Sequence, residues 1–380
     1  MSKGDDQISQ FQERADLSKV RRVVVKIGSQ VLSHENGTPN FEQIKSLSKQ
    51  VCSLRSQGIS VLVITSGAIA FGRQALDWRE KPKSVKESQM LASVGQARLI
   101  EAYRQAFEEE NIVIGQVLLT HRELSDRASY INAHHTIMAM WEHGVLPVLN
   151  ENDAVGYEEI CFGDNDQLAA LVSAMVEANL LTIITVTDGV FTANPNIDAG
   201  AKRISLVDDF EGLDVNFKGS SSMGSGGMKS KVSAAQIACE AGTAVVVTNQ
   251  PLNSILQGED LGTFFRPHTI LLEKRRHWLR YGLKEKGSMC LDSGASQALA
   301  EHGASILPIG VTSVEGDFQR GDVIAIYGSS GDKLACGLAE YPSVEMRKIL
   351  GRHSNEIEAL LGYRYLDVVV HRDDLVLEKN

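Results

Sequence analysis

The sequence predicts an α/β protein with an open, mostly parallel sheet sandwiched by helices, followed by a small β-rich domain. Two observations support this prediction. Between residues 21 and 250, short β-branched runs alternate with longer helical patterns, and this alternation is typical of a parallel sheet with crossover helices. From about residue 283, short strand patterns are separated by glycine every several residues, which favours a small barrel-like domain.

Six apolar runs in the first part predict strands that are covered on both faces. Their apolar residues are successive rather than alternating, as expected for buried parallel strands. The predicted strands are 22–27, 61–65, 113–120, 145–150, 181–186 and 244–248. The predicted helices between them are 41–57, 88–109, 128–143, 167–178 and 229–241. In such sheets ligands bind beyond the carboxyl ends of the strands, so these ends are the places to search.

The length of 380 residues is sufficient for two domains, each with its own core. We predict a polar extension at 1–20, an α/β domain at 21–275, a linker at 276–283 and a β-rich domain at 284–375. The linker region carries a local basic cluster. The boundary is placed there because the predicted pattern changes from alternating strands and helices to short strands separated by glycines.

Composition narrows the class of protein. Five cysteines without a C-x-x-C pair indicate reduced thiols in a cytoplasmic protein rather than a disulfide framework or a zinc site. The N-terminus is polar and acidic, unlike a signal or transit peptide, and no apolar run approaches the roughly 18 residues of a membrane span. The net charge of −10 argues against binding to membrane surfaces or nucleic acids.

Two strand ends carry residues suited to anion binding. Lys26 ends the first strand and precedes Gly28 and Ser29, whose backbone N–H groups can face an anion. Ser66 lies in a tight turn into a helix, where the helix N-terminus offers further donors. Read alone, Lys26 is also compatible with an ordinary lysine whose stem lies on apolar surface, and small residues are common in such turns.

A Gly/Ser-rich stretch at 219–227 precedes a predicted helix whose first turn contains Lys229 and Lys231. Cations are unfavourable at a helix N-terminus, so a bound polyphosphate would compensate for them. The glycines allow close backbone approach while a lysine neutralises phosphate oxygens. The alternative is a flexible surface loop, because this is not the G-x-x-x-x-G-K-[ST] phosphate loop.

Acidic residues cluster at another strand end. Asn150 ends a strand, Asp153 follows, and Asp164, Asn165 and Asp166 begin the next helix. One acid is enough to cap a helix, and clustered carboxylates repel one another unless cations are near. The two lysines, a magnesium ion or a substrate ammonium group would each supply that charge. Helix capping remains an alternative for part of this cluster.

Together these strand ends predict phosphoryl transfer, in which a protein mainly positions groups and stabilises spread negative charge. The sequence has no G-x-S-x-G or H-E-x-x-H motif that would indicate another chemistry.

Several motifs in order resemble the amino-acid kinase family over residues 21–275, and the following segment to 375 resembles a PUA domain. The motifs are VVVKIGSQVL, VITSGAIAFG, VLPVLNENDAV, FGDNDQLAALVS, DGVFTANP and GSGGMKSK. NENDAV followed by GDND resembles the members that act on L-glutamate rather than aspartate, acetylglutamate or uridylate. The resemblance implies phosphorylation of the γ-carboxylate of L-glutamate by ATP with Mg²⁺, the first step of proline synthesis.

The resemblance also implies roles for individual residues. Lys26 and Lys231 would be catalytic, with Asp166 orienting both, and Ser66, Asp153 and Asn165 would bind glutamate. Asp164 would lie near magnesium. The residues that would contact ATP are Lys26, Thr185, Val186, Ser225, Gly226, Gly227, Met228, Lys229, Ser230 and Lys231.

One position departs from the family pattern. With the motifs aligned on Asp188 and Gly189, Val186 occupies the place where the family usually has an acid near the adenine. An alignment through Thr187 and Asp188 would instead require a two-residue deletion. The resemblance implies largely apolar and backbone contacts to the adenine, so the departure does not threaten the activity.

Further implications of the resemblance are a homo-oligomer, feedback inhibition by proline and coupling to glutamyl-phosphate reductase. Two alternatives stay open: an aspartate or acetylglutamate kinase, and an RNA-binding PUA protein. Residues 281–380 hold 10 Lys and Arg against 15 Asp and Glu, giving −5, which disfavours RNA. We therefore expect a structural or regulatory C-terminal domain.

Overall fold

The chain divides into two units, Met1–Leu271 and Leu272–Asn380. The computed structural model describes residues 11–34, 36–156, 165–210, 213, 227–267 and 285–378. The predicted linker at 276–283 lies outside the described residues, and the predicted domain limits stay a prediction. Within the predicted N-terminal extension, Arg14–Lys19 forms a 3₁₀ turn.

Eight strands of the first unit form one sheet in the order β3-β4-β2-β1-β5-β7-β8-β6. In chain order they are β1 Arg22–Ile27, β2 Ser60–Ile64, β3 Ile114–Leu119, β4 Leu146–Glu151, β5 Leu180–Ile184, β6 Leu206–Val207, β7 Ala244–Thr248 and β8 Thr263–Phe265. Every pairing is parallel except that of β7 with β8. The predicted open, mostly parallel sheet is therefore confirmed.

Eight described helices accompany this sheet. They are α1 Phe41–Ser56, α2 Ala68–Ala75, α3 Val85–Glu108, α4 His121–Ser125, α5 Arg127–Glu142, α6 Asn165–Met175, α7 Met228–Glu240 and α8 Leu252–Leu256. All five predicted helices are present within a few residues of their predicted ends. The sequence pattern missed the helices α4 and α8, the edge strand β6 and its neighbour β8, which are too short to show a clear period.

The helices lie on both faces of the sheet. A large core joins α1 and α3 to alternate residues of β1, namely Val23, Val25 and Ile27. On the other face, α6 packs against β1 and against α7. Because successive side chains of a strand point to opposite faces, Lys26 belongs to the face covered by α6. The side chains of β1 on one face therefore pack in the hydrophobic core, whereas Lys26 on the other face is placed for chemistry.

The second unit contains a five-stranded sheet in the order β10-β9-β11-β12-β13. Its strands are β9 Gly287–Leu291, β10 Val311–Gly316, β11 Val323–Tyr327, β12 Lys333–Leu338 and β13 Leu375–Leu377, and its helices are α9 Ser293–His302, α10 Ser343–Ile349 and α11 Ile357–Leu361. A separate core holds Met289, Ile324, Ile326 and Tyr341 together. The predicted small β-rich domain is confirmed.

No helix within the described residues is long and apolar enough to cross a membrane.

Candidate active site

Lys26 lies near the carboxyl end of the central strand β1, paired with Ile64 of β2 and Ile183 of β5. Its side chain is almost completely buried, with 5% of the residue exposed. A buried ammonium group is costly unless it is paired, so its partner is decisive for the site.

Asp166 supplies that partner from the first turn of α6. It is fully buried, and its Oδ1 forms an ion pair with Lys26 Nζ. Its other oxygen, Oδ2, accepts hydrogen bonds from Lys231 Nζ at 3.0 Å and from Ser230 Oγ at 3.1 Å. The predicted convergence of the two lysines on one acid is therefore present, and we call Lys26, Asp166 and Lys231 the charged triad.

The charged triad keeps its central acid ionised. Burial alone would raise the pKa of Asp166, but the ammonium groups of Lys26 and Lys231 outweigh it and hold that pKa below its ordinary value. Asp166 is therefore a poor proton acceptor and a good electrostatic anchor. Two cations flank a single carboxylate, so the triad itself carries a surplus of positive charge, the sign that suits a phosphoryl group.

The first turn of α7 explains how a lysine is tolerated at a helix N-terminus. Lys231 is buried and paired with Asp166, whereas Lys229 is exposed. The carboxylate of Asp166 in α6 therefore offsets the unfavourable interaction between Lys231 and the helix dipole. From the sequence alone, a bound polyphosphate was expected to do this. Gly227 is the N-cap of α7, and it forms no side-chain cap.

Asn165, the residue before Asp166, reaches the ends of two other strands. Its Nδ2 donates to Ser66 Oγ at 3.0 Å, to the Thr65 carbonyl at 3.1 Å and to Asn150 Oδ1 at 3.2 Å. Ser66 follows β2, and Asn150 belongs to β4. Two predicted glutamate-binding residues, Ser66 and Asn165, are therefore in direct contact, and with Asn150 they form what we call the amide cluster.

The turn after Ser66 depends on a glycine backbone conformation. Gly67 has φ +98° and is the N-cap of α2, a backbone conformation that favours glycine. No side-chain cap is present at this helix start. The small side chains at the end of β2 thus leave Ser66 beside Asn165.

Asp153, the third predicted glutamate-binding residue, lies beyond the end of β4. It lines a cavity of about 320 Å³ between the β3–β4 end of the sheet and α3. Glu151 and Asn152 line the same cavity. No hydrogen bond between Asp153 and the amide cluster is present among those described, so the structure brings Ser66 and Asn165 together but leaves Asp153 in the neighbouring cavity.

The predicted adenine side lies at the end of β5. The Thr185 backbone N–H donates to the Thr248 carbonyl at 2.9 Å, and Val186 is 53% exposed. The nearby acid Asp188 is tied to neighbouring loops, because its Oδ1 accepts from Thr248 Oγ1 at 2.8 Å and from the Gly262 N–H at 3.0 Å. An exposed apolar side chain therefore occupies this edge.

Three predicted site residues, Asp164, Ser225 and Gly226, lie outside the described residues. Among the residues that are described, no group of three His, Cys, Asp or Glu side chains could hold a metal ion. The roles assigned to all the predicted site residues stay predictions.

The sequence pattern marked Asn150 as a strand end but assigned it no role. Its contact with Asn165 depends on β4 lying beside β2 in the sheet, whereas β3 precedes it in the chain. The sequence feature that could have indicated a role for Asn150 is a polar residue at the end of an otherwise apolar buried strand, because buried polar groups need hydrogen-bond partners.

The chain is similar to proteins of one known family over nearly its whole length. The amino acid kinase family model matches residues 21–249, and the PUA domain model matches residues 287–361. A glutamate 5-kinase of Trichlorobacter lovleyi is 44% identical over 370 residues, covering 96% of this chain and 98% of that protein. Glutamate 5-kinases of Geobacter sp. and of Caldanaerobacter subterraneus subsp. tengcongensis are 43% and 42% identical, covering 95% and 94% of this chain and 98% and 97% of those proteins. The chain therefore belongs to the amino acid kinase family and, within it, to the glutamate 5-kinases, with a PUA domain in its C-terminal part.

Proposed function

We propose that this chain transfers the γ-phosphoryl group of ATP to the γ-carboxylate of L-glutamate, forming L-glutamyl 5-phosphate in the first step of proline biosynthesis. Relatives that match nearly the whole chain are glutamate 5-kinases. They give no support to the alternatives of an aspartate kinase, an acetylglutamate kinase or an RNA-binding PUA protein.

The charged triad is the observation that carries this proposal. Phosphoryl transfer requires stabilisation of negative charge spread over the equatorial oxygens of the moving group. Lys26 and Lys231 come from distant parts of the chain and meet at Asp166 in a buried setting. Electrostatic stabilisation is strongest where water is excluded and the donors are held in place before the reaction.

The state of Asp166 bears on the class of acceptor. A hydroxyl acceptor would need a base to remove its proton, and Asp166, with its lowered pKa, is ill suited to that task. A carboxylate acceptor has an ordinary pKa of about 4 and is already ionised at neutral pH. The triad therefore suits a carboxylate nucleophile that needs no base.

The proposed step balances without proton transfer. A γ-carboxylate oxygen of glutamate attacks the γ-phosphorus of ATP and forms a new O–P bond. The bond between that phosphorus and the oxygen bridging to the β-phosphate breaks, and the electron pair leaves with ADP. The two lysines stabilise the charge on the phosphoryl oxygens, and Asp166 keeps both ammonium groups in position.

On the acceptor side, we assign Ser66, Asn165 and Asp153 to glutamate. Ser66 and Asn165 share a hydrogen bond beside the triad, because Asn165 directly precedes Asp166. Asp153 supplies a carboxylate in the adjacent cavity, which suits the substrate ammonium group.

On the nucleotide side, the N-terminus of α7 fits a polyphosphate. Gly227 starts this helix, and we assign the residues Ser225–Lys231 to the phosphates of ATP, with Thr185 and Val186 beside the adenine. Mg²⁺ commonly reaches such sites with the nucleotide phosphates and only one or two protein carboxylates, which fits Asp164 as the predicted ligand. When bound, the ion would neutralise phosphate charge and help to orient the leaving group.

We also propose a cytoplasmic homo-oligomer that is inhibited by proline. Its product would be an acyl phosphate, a reactive mixed anhydride, and rapid consumption by glutamyl-phosphate reductase would limit hydrolysis. Family membership supports these four assignments.

An acyl-phosphate trapping assay tests the proposed function. The purified chain is incubated with ATP, Mg²⁺ and hydroxylamine, together with L-glutamate, L-aspartate or N-acetyl-L-glutamate, and the hydroxamate is measured. We expect hydroxamate and matching ADP release with L-glutamate and little with the other two. Preferential product with aspartate or acetylglutamate would contradict the proposed acceptor.

A further inference from the structure

Helix α3 brings a third carboxamide to the amide cluster. Gln96 Oε1 accepts a hydrogen bond from Asn150 Nδ2 at 2.8 Å. Asn150 Oδ1 in turn accepts from Asn165 Nδ2 at 3.2 Å. Three carboxamides from α3, β4 and α6 therefore form one hydrogen-bonded chain that ends at Ser66.

The direction of this chain is set by a backbone group. Asn165 Nδ2 faces the Thr65 carbonyl, which can only accept, so the Asn165 amide has one allowed orientation. Asn150 must then present Oδ1 to Asn165 and Nδ2 to Gln96. Gln96 must then accept this hydrogen bond through its Oε1. Each amide thereby fixes the orientation of the next.

Two glycines allow α3 to approach this closely. A Cβ atom on Gly95 would lie 1.8 Å from the Ala68 carbonyl oxygen, and one on Gly72 would lie 1.9 Å from the Leu91 carbonyl oxygen. Helices α2 and α3 are therefore in backbone contact beside the turn that carries Ser66. Gln96 directly follows one of these glycines, so the helix crossing fixes its position relative to the cluster.

A second contact from the same face of α3 supports the same strand end. Tyr103 lies two helical turns after Gln96 and is fully buried. Its hydroxyl lies 2.9 Å from Thr65 Oγ1, which donates a hydrogen bond to it. Helix α3 therefore contacts the end of β2 through Tyr103 and the end of β4 through Gln96.

Gln96 itself is not fully satisfied. Its Nε2 is buried and has no hydrogen-bond partner among the described residues. An unpaired buried donor is unfavourable, and an apolar side chain here would remove it only by leaving the buried Asn150 Nδ2 without its acceptor. The glutamine therefore serves Asn150 as an acceptor, and its own Nε2 stays without a partner among the described residues.

We propose that Gln96 is a positioning residue for the acceptor amino acid. It accepts from Asn150 Nδ2 and so holds Asn150 where its Oδ1 accepts from Asn165, which together with Ser66 is assigned to glutamate. This inference rests on the proposed function. Gln96 acts as a hydrogen-bond acceptor through its side-chain oxygen. It strengthens binding of the amino acid and does not affect the charged triad.

Three variants separate this role from simple packing. Gln96→Met keeps the volume but removes the acceptor, Gln96→Glu keeps an acceptor oxygen, and Gln96→Asn shortens the side chain so that it no longer reaches Asn150. We expect Gln96→Met and Gln96→Asn to raise the KM for L-glutamate about tenfold, the size expected for a lost buried hydrogen bond and its partner. The kcat and the KM for ATP should change by less than about twofold.

The glutamate variant gives the discriminating readout. A buried carboxylate should lower the Tm of Gln96→Glu below that of Gln96→Met. Its KM for L-glutamate should nevertheless return to within about threefold of the wild type, because Asn150 regains its acceptor. A packing role predicts the same order for Tm and KM, with the methionine variant better in both.

Gln89→Met is the matched control, because Gln89 lies on the same helix two turns earlier and makes no side-chain hydrogen bond among those described. It should leave both KM values unchanged. If wild-type chain forms no γ-glutamyl hydroxamate, the proposed function fails. If the wild type is active but Gln96→Asn has an unchanged KM, or Gln96→Glu binds glutamate no better than Gln96→Met, only the role of Gln96 is overturned.

Discussion

Two neighbouring residues at the start of α6 serve two different regions. Asp166 contacts Lys26 of β1 and Lys231 of α7, so its surroundings are charged. Asn165 contacts Ser66 after β2 and Asn150 of β4, so its surroundings are neutral. A single step along the helix therefore separates a region of ammonium and carboxylate groups from a region of amides and hydroxyls.

The difference matches what each region must do in phosphoryl transfer. Charge develops and moves on the phosphoryl group, and fixed charges in a buried setting stabilise it strongly. The acceptor amino acid instead needs a defined position, which directional neutral hydrogen bonds supply at lower desolvation cost. Changes in the charged triad should therefore affect kcat, and changes in the amide cluster or Asp153 should affect KM for the amino acid.

The largest effect is expected from Asp166→Asn, which breaks the charged region. Removing the carboxylate leaves two buried ammonium groups without their shared partner, which typically costs about 3–5 kcal/mol of stability. We expect kcat to fall by roughly a thousandfold or more. Steady-state kinetics and thermal unfolding measure both effects.

Asn165→Ala, one residue earlier, is the matched comparison. It should mainly raise the KM for L-glutamate and should lower Tm less than Asp166→Asn. Equal losses of kcat and Tm in the two variants would show that the two regions are not separate.

The next largest effect is expected from Lys231→Met. This change removes one of the two cations that stabilise the phosphoryl group, and we expect kcat to fall by about 10²–10³-fold. Lys229→Met, two residues earlier on the exposed side, should chiefly raise the KM for ATP. Turnover that is unchanged in Lys231→Met would refute the charged triad as the catalytic centre.

Asp153→Ala sharpens the comparison from the acceptor side. Loss of a carboxylate that meets an ammonium group should raise the KM for L-glutamate by about 10–100-fold, as for other hydrogen bonds to charged groups. The kcat should change far less, because the lysines and Asp166 are intact. An effect confined to the KM for ATP would show that Asp153 does not bind the amino acid.

The smallest effect is the pH dependence of stability. The pKa of Asp166 is lowered in the folded state, so its contribution is complete above the ordinary value of 3.8 and is lost as the pH falls through the lower folded value. The difference in unfolding free energy between wild type and Asp166→Asn should therefore be constant above about pH 5 and shrink below about pH 4. A difference that grows on acidification would contradict an ionised, ion-paired Asp166.

The sequence predicted the strand ends well and their mutual contacts less well. Lys26, Asp166 and Lys231 each carried a local signal, because a charged residue at the end of an apolar strand or helix start stands out. Gln96 carried none, since a glutamine on an amphipathic helix is ordinary. Its importance arises only from the crossing of α2 and α3, which depends on Gly72 and Gly95 packing in three dimensions.

The departures in the fold have a similar cause. Helix α8 and strand β8 are short, and tertiary contacts rather than a clear sequence period define them. Val186 was identified as an unusual residue from the sequence, and its exposure follows from its position two residues beyond the end of the buried strand β5. Local sequence patterns therefore predicted most helices and strands. Which site residues contact one another depends on the order of the strands in the sheet.

A crystal structure with L-glutamate, ADP, Mg²⁺ and a planar metal fluoride in place of the transferred phosphoryl group would test the charged triad most directly. Lys26 Nζ and Lys231 Nζ should both lie about 2.7–3.2 Å from fluorine atoms of that group while each still contacts Asp166. A fluoride bound out of reach of either lysine, or held by other side chains, would contradict the account.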